Sequence, residues 1–513
     1  MSKKVEVVKL ADREHQYYKD NYANWALYRD AAKGSEDFMA ANLKSHRLED
    51  PEDYQERKDR LYYLNFCDTI PKIFNSYIFR HRIERAADKN LELFRKNVDG
   101  KNVLIGNFVK RCGYLASVYG VIHVLVDITE SSKKIPTKAD IKLEKIQPFT
   151  KIILPTQLKD WSVDDKGNYN WVIIEFEYSD DLDPTKERVT SIYYKVITRT
   201  EWWIEDEDGE RISSFPDGTP ASGDNTLGIV PIATMYHTEI DDDKVGESIL
   251  KDIVYINIAI MNWCSCIDEM IERQTFSQLI MPDNGALAES EEEGQDPLNV
   301  VSTSTIMTFP SDSSHPPGFI SPNTDNINII WKLTLDHIKE IYRLAGLQGG
   351  TSDLYTSRSG RQSQMSFLGV NSTLKEKAAS YEKFENDISK LAYRQLGLDM
   401  DSYVDVVYPN SFDIVALEEE LDSIIKIMEK NFSSILNKEL QKNIARKSIT
   451  LPNDLMLEIE NEIDSSDGKV EVTLTNSFSP EFQGQGNINS NQSDSFKSSI
   501  TKDKEESTHR KEE

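Results

Sequence analysis

The stretch GESILKDIVYINIAIMNWCSCIDEMIERQ (residues 246–274) and its partner NINIIWKLTLDHIKEIYRLAG (residues 326–346) decide how this chain is read. In the first, Ile253, Ile256, Ile260, Trp263, Ile267 and Met270 recur in steps of three or four. In the second, Ile327, Trp331, Leu335, Ile338, Ile341 and Ala345 do the same, as amphipathic helices require. The 276–324 insert between them is turn-rich, with acidic runs, the short strand-like pieces QLIMP and STIMTFP, and His315-Pro316-Pro317-Gly318. GGTSDLYTSRSGRQSQ (residues 349–364) then reads as a loop of small polar residues carrying Arg358 and Arg361. A long third helix follows to about residue 396, striped by Phe367, Val370, Leu374, Ala378, Tyr381, Phe384, Ile388 and Leu391.

Working outward, residues 12–100 read as helical. Tyr18, Tyr22, Trp25 and Tyr28 keep helical spacing, and Pro51 followed by Glu52 and Asp53 is a helix start. The 102–119 segment is another apolar-striped helix that stops at Gly120 and feeds a buried strand, VIHVLVDI. Strand-like runs then alternate with turns: WVIIEFEY after Lys166-Gly167-Asn168, SIYYKVIT, and EWWIED before Asp208-Gly209. They predict a mixed or antiparallel sheet packed on the N-terminal helices. Beyond the third helix, SYVDVVYP reads as a strand. Helices are expected over 413–443 and 453–462. The Ser-, Asn-, Gln-, Lys- and Glu-rich remainder reads as a disordered tail, because almost no aliphatic side chains remain to offset ordering entropy. The fold class is therefore α+β.

The chain has 513 residues, enough for two to four domains, with 60 Lys plus Arg against 87 Asp plus Glu. The resulting charge of −27 argues against a simple DNA-coating protein, whose sequence-independent grip on phosphate needs basic residues. It is compatible with a protein that encloses DNA without gripping it. The N-terminus lacks the apolar run of a signal peptide. The 253–271 helix, broken by Asn257, Asn262, Asp268 and Glu269, reads as far short of a membrane span, so a soluble chain is expected. Cys67, Cys112, Cys264 and Cys266 form no CxxC pair and read as small buried hydrophobes in a reducing compartment.

Catalytic signals are missing from the sequence. None of the eight histidines stands beside a second ligand at metal spacing, and no GxxxxGK[ST], GxGxxG or GxSxG occurs. Acidic runs do stand out: Asp180, Asp181 and Asp183; residues 205–208; residues 241–243; and Glu289 with Glu291, Glu292 and Glu293. Paired carboxylates can hold Mg2+ for nuclease chemistry. These lie in predicted turns and read chiefly as solvated loops, with a structural ion between subunits as the lesser reading. No cofactor is expected.

Taken in order, these parts resemble a portal protein of tailed bacteriophages. ERKDRLYYLNFCDTIPKIF (56–74), FVKRCGYLASVYGVIHVLVD (108–127) and QPFTKIILPTQLKDWSVDDKGNYNWVII (147–174) resemble the wing, and TLGIVPIATMYH (226–237) the approach to the stem. The resemblance runs over about residues 50–460 and rests on order and pattern rather than on one invariant motif. It implies a wing over 1–245, stem helices over 246–275 and 325–347, a small α/β clip over 276–324, and a tunnel loop, tunnel helix and return to the wing over 348–412. A helical crown over 413–465 and a tail over 466–513 complete it. The implied DNA-facing loop residues are Ser357, Arg358, Ser359, Arg361, Gln362 and Gln364. Clip residues implied to dock partners are Met281, Asp283, Glu291, Glu292, Glu293, Phe309 and His315. By the same resemblance the chain would form a homo-oligomeric ring, a dodecamer, at one vertex of a virion capsid. It would be made in the host cytoplasm and conduct double-stranded DNA without catalysis or membrane contact. Terminase, the major capsid and scaffolding proteins, and later head-completion (adaptor) and tail proteins would be its partners.

Overall fold

The computed structural model describes residues 9–47, 49–86, 88–128, 147–180, 185, 187–241, 243–274, 278–283, 306–310, 318–320, 325–347, 360–410, 412, 426–427, 433–448 and 453–466. The chain is α+β and divides into two units, residues 1–414 and 415–513.

In the first unit, five helices open the chain: α1 (Gln16–Lys33), α2 (Glu36–Asn42), α3 (Pro51–Asp59), α4 (Phe66–Ile78) and α5 (Glu92–Lys96). Their boundaries are set by local chemistry. Side chains of His15, Ser35, Asp50 and Asn65 each accept a backbone N–H at a helix start, and Pro51 occupies the first turn of α3. Helix α6 (Ile105–Tyr119) ends at Gly120, whose φ of +93° is open to glycine alone among common residues. The expected buried strand follows as β1 (Val121–Ile128), flanked antiparallel by β2 (Pro148–Ile153) and β8 (Ile232–Tyr236).

A five-stranded antiparallel meander runs β3 (Leu158–Val163), β4 (Tyr169–Asp180), β5 (Val189–Thr198), β6 (Glu201–Asp206) and β7 (Ser222–Asp224). Its β3–β4 hairpin turns at Gly167 (φ +72°), while Gly209 (φ +85°) closes the turn after β6, both at the sites the Lys-Gly-Asn and Asp-Gly signals mark. A short ribbon, β9 (Thr238–Asp241) with β10 (Val245–Glu247), leads into α7 (Leu250–Gln274). Residues 246 and 247, expected in the helix, are thus strand. Ser248 Oγ accepts the Leu250 N–H at 3.0 Å, which sets the later start. Strands β11 (Gln278–Asp283), β12 (Ile306–Pro310) and β13 (Gly318–Ile320) form a separate small sheet, and α8 (Asp325–Leu344) and α9 (Gly360–Gln395) follow.

One core joins α1, α4, α6, the inner face of the β1 sheet, α7 and α9, with Trp25, Phe74, Ile253, Ile260, Phe384 and Ile388 among its members. Helix α6 and α9 cross closely: a Cβ on Gly113 would overlap the Tyr381 hydroxyl, which donates to Asn75 Oδ1. The SYVDVVYP segment is extended but not a sheet strand. Only Val407 pairs, with Glu84, while Asn386 on α9 takes both the N–H and the carbonyl of Val406, and Glu382 accepts the Tyr408 N–H. Helix side chains satisfy the backbone of Val406 and the N–H of Tyr408, and the Glu84 backbone satisfies Val407.

By length and composition the 250–272 part of α7 would suffice to cross a bilayer, which corrects the expectation that it falls far short. Half of that window is buried in the fold, so the core accounts for its apolar face.

In the second unit, α10 (Ser434–Ser448) and α11 (Asn453–Ser465) pair. Lys442 Nζ meets Asp464 at 2.7 Å, and Lys438 donates to the Asp464 carbonyl at 2.9 Å. Both helices outlast their expected ends. Most of 413–433 and all of 467–513, including the predicted tail, lie outside the described residues.

Candidate functional site

The candidate site is the helical hairpin of α7 and α8 with the small sheet between them and the segment leading into α9. Its base is rigidly rooted. Gly120 and Gly246 approach so closely that a Cβ on either would lie 2.6 Å from the other's carbonyl oxygen. Ser248 Oγ donates to the Val118 carbonyl at 2.6 Å, and Tyr17 donates to the Gly246 carbonyl. Higher on α7, the fully buried Asn257 donates to Leu64 O at 2.8 Å and accepts from Phe66 N at 3.0 Å, filling orphan donors at the start of α4. The asparagines that appeared only to interrupt an apolar helix are therefore fastenings.

Arg57 is a second fastening. It is buried and bidentate to Glu49 at 2.7 and 2.9 Å, donates to Lys44 O at 2.7 Å, and reaches Ser265 Oγ on α7 at 3.3 Å. Burial pushes the Glu49 carboxyl up, but the Arg57 hydrogen bonds and the His46 N–H outweigh it and hold the group below the usual carboxylate range. Arg60 adds ion pairs to Glu269, at 2.7 Å, and to Glu272.

Helix α8 differs in kind. Thr334 and Ile341 are buried, and His337 meets the Trp263 ring edge-on at 4.5 Å. Ile329, Trp331, Leu333 and Leu335 remain exposed, so α8 presents large apolar side chains on more than its packed face.

At the tip, β11 lies between β12, parallel to it, and β13, antiparallel. The register sets Met281 opposite Thr308, Pro282 opposite Phe309, and Asp283 opposite Pro310. Backbone pairing therefore gathers Met281, Asp283 and Phe309 in one small sheet. Glu291, Glu292, Glu293 and His315 lie outside the described residues, as do Ser357, Arg358 and Ser359. Arg361, Gln362 and Gln364, expected in a loop, fall instead in the first turns of α9, which begins at Gly360. Arg and Gln are good helix formers, and a serine precedes the first helical position; those signals outweigh the loop-like Gly and Ser content.

The other expected chemistry groups resolve into structural roles. Glu205 accepts from Trp203 Nε1 at 2.7 Å and faces Arg211 at 3.7 Å, and Asp206 accepts two backbone N–H groups in its turn. Asp181, Asp183 and Asp242 lie outside the described residues. Among the described residues, no three His, Cys, Asp or Glu side chains are grouped to hold a metal ion. His123 is buried against Thr234 and Tyr169, each at 3.2 Å; burial, with repulsion from Lys244, drops its pKa to about 3. His237 is likewise buried and lowered well below its usual value, next to Ser117 Oγ at 3.1 Å. Cys67, Cys112 and Cys264 are buried, and burial pushes the Cys67 thiol up to about 12.

One feature escaped sequence reading. Lys383, Lys390 and Arg394 on α9 line a cleft with Lys244, against the β1 sheet. The i, i+7, i+11 spacing on one helix face was the available signal.

A scan against protein-family models finds no match to this chain, and a search of curated proteins finds no similar sequence.

Proposed function

We propose that this chain is the subunit of a phage-type portal: a ring-forming conduit for double-stranded DNA with no catalytic step of its own. The observation that carries the reading is architectural. An α+β body roots a two-helix hairpin, a small sheet sits between the two helices in the chain, and a long helix follows. In the portal reading these are wing, stem, clip and tunnel helix, and the pair α10–α11 belongs to the crown. The order of parts, rather than similarity to any known sequence, supports it.

Two physical features agree with a conduit. The fastenings at Gly120–Gly246, Asn257 and Arg57 fix the base of α7 to the body, as a stem needs if load is to pass between clip and wing. A charge of −27 per copy, repeated around a ring, would repel phosphate and keep DNA sliding. Arg358 and Arg361 are proposed to meet the DNA. The small sheet is proposed to dock terminase and later an adaptor protein.

Negative-stain electron microscopy of the purified chain tests this. Annular particles with a central hole wide enough for duplex DNA are expected, with capsid and scaffolding partners added if the chain alone does not assemble. Compact particles without a hole under both conditions would sink the proposal.

A further inference from the structure

The cationic cleft between α9 and the sheet does not depend on the portal reading. It has a volume of about 260 Å³, and its lining includes Tyr236 on β8, Lys244 in the β9–β10 turn, Tyr169 on β4, and Lys383, Asp387, Lys390 and Arg394 on α9. The helix residues follow i, i+4, i+7, i+11, so one face of α9 supplies them all. Four cations face one carboxylate, a local excess of positive charge on a chain whose net charge is −27.

Neighbours offset this only in part, and Lys244 is itself partnered, lying over the Tyr169 ring at 5.6 Å among its contacts. Lys383 lies 3.8 Å from Glu239 and Lys390 2.8 Å from Asp405, both exposed pairs that hold their partners weakly. Lys244 sits at φ +63°, a left-handed conformation that a lysine adopts at a cost. An independent observation points to a ligand. The Tyr236 hydroxyl is buried and has no partner at hydrogen-bond geometry, and Thr234, its neighbour two residues back on the strand, is already engaged by His123 and Tyr169. A buried donor without an acceptor costs free energy unless something fills the place.

We propose that this cleft is a phosphate-group site, in which Lys244, Lys383, Lys390 and Arg394 supply charge and the Tyr236 hydroxyl donates a hydrogen bond to a phosphate oxygen. Arginine and lysine together suit a tetrahedral oxyanion, arginine through its planar fork and lysine as a point charge. The phosphate belongs either to a small molecule, free or nucleotide, or to a nucleic-acid backbone.

Isothermal titration of the full-length chain with inorganic phosphate, at ionic strength held constant with chloride, tests it. Saturable binding is expected, weakened at least about tenfold in Lys383→Ala and in Arg394→Ala, whose exposed side chains leave the fold intact. Tyr236→Phe should weaken it severalfold, by removing the donor to the phosphate oxygen. A short DNA duplex that displaces phosphate from the wild type, and not from Arg394→Ala, assigns the backbone as source. Phosphate binding that duplex leaves untouched assigns a small molecule. Absence of saturable binding, or equal binding by wild type and both cation variants, overturns the proposal.

Discussion

Removing Arg85 should destabilise the first unit far more than removing an average surface charge. The Glu385 carboxylate on α9 has no exposed surface and is held by Arg85 at 2.6 and 2.9 Å and by the Tyr408 hydroxyl at 2.6 Å. The three residues tie the segment after α4, the middle of the long helix and the chain beyond it into one contact. Arg85→Ala strips two charge-assisted bonds and leaves a buried carboxylate with a single phenol donor. Breaking a buried pair from one side costs about 3–5 kcal/mol, against about 0–1 kcal/mol for an exposed pair. Glu385→Gln alone should cost less, about 1–3 kcal/mol, since the Arg85 side chain keeps 23% of its surface in water. The double variant Arg85→Ala with Glu385→Gln removes both charges and keeps an acceptor for Tyr408. It should therefore recover at least about 2 kcal/mol of the summed single losses. Urea unfolding at pH 7, followed by the fluorescence of tryptophans including Trp25 in the same core, measures each corner of the cycle. A loss below about 1 kcal/mol for Arg85→Ala, or additive losses in the double variant, would refute the claim that this pair is a desolvated unit.

Other expected outcomes are as direct. Gly120→Ala should destabilise by more than about 2 kcal/mol in the same unfolding assay, because it combines φ +93° with contacts of 2.6–2.8 Å to backbone atoms that cannot swing away. His123 and His237 are buried neutral, so the unfolded chain binds more protons as pH falls below about 6.5. Their contribution is complete above that value and is lost on acidification, by up to about 1.4 kcal/mol per pH unit for each histidine. Between pH 6.5 and 5, above most carboxylate titration, His123→Asn should therefore show a shallower loss than wild type; parallel curves would contradict this. Truncation after Ser466 should leave the α10–α11 pair intact by circular dichroism. Truncation before Asp464 should weaken it, since that residue receives both Lys438 and Lys442. Arg358→Glu with Arg361→Glu should leave particle assembly unchanged but lower the DNA content of filled particles; normal filling would remove both arginines from the proposed channel contact.

Patterns local in the chain were legible without coordinates. Period 3.6 over 250–274 and 326–344, Pro51 at a helix start, Gly120 at a helix end and the Lys-Gly-Asn hairpin all follow from the stereochemistry of a few consecutive residues. Such preferences hold whatever surrounds them. Where several weak signals competed, sequence reading slipped. SYVDVVYP alternates like a strand, yet Val406 and Tyr408 find their partners in side chains of Asn386 and Glu382, and Val407 makes one isolated bridge to Glu84. Arg361 sat in a Gly/Ser context that reads as loop, yet the backbone there is helical.

What only the tertiary structure decided is which distant groups meet. Gly120 meets Gly246, Arg57 meets Ser265 and Arg85 meets Glu385 because folding brings together residues more than a hundred positions apart. The sequence alone determined most of the order of helices and strands and the acidic balance of the chain, from which the conduit reading grew. It did not determine that α9 turns a cationic face to a cleft holding the orphan Tyr236 hydroxyl. Periodicity shows that a face exists; packing alone decides what that face is set against.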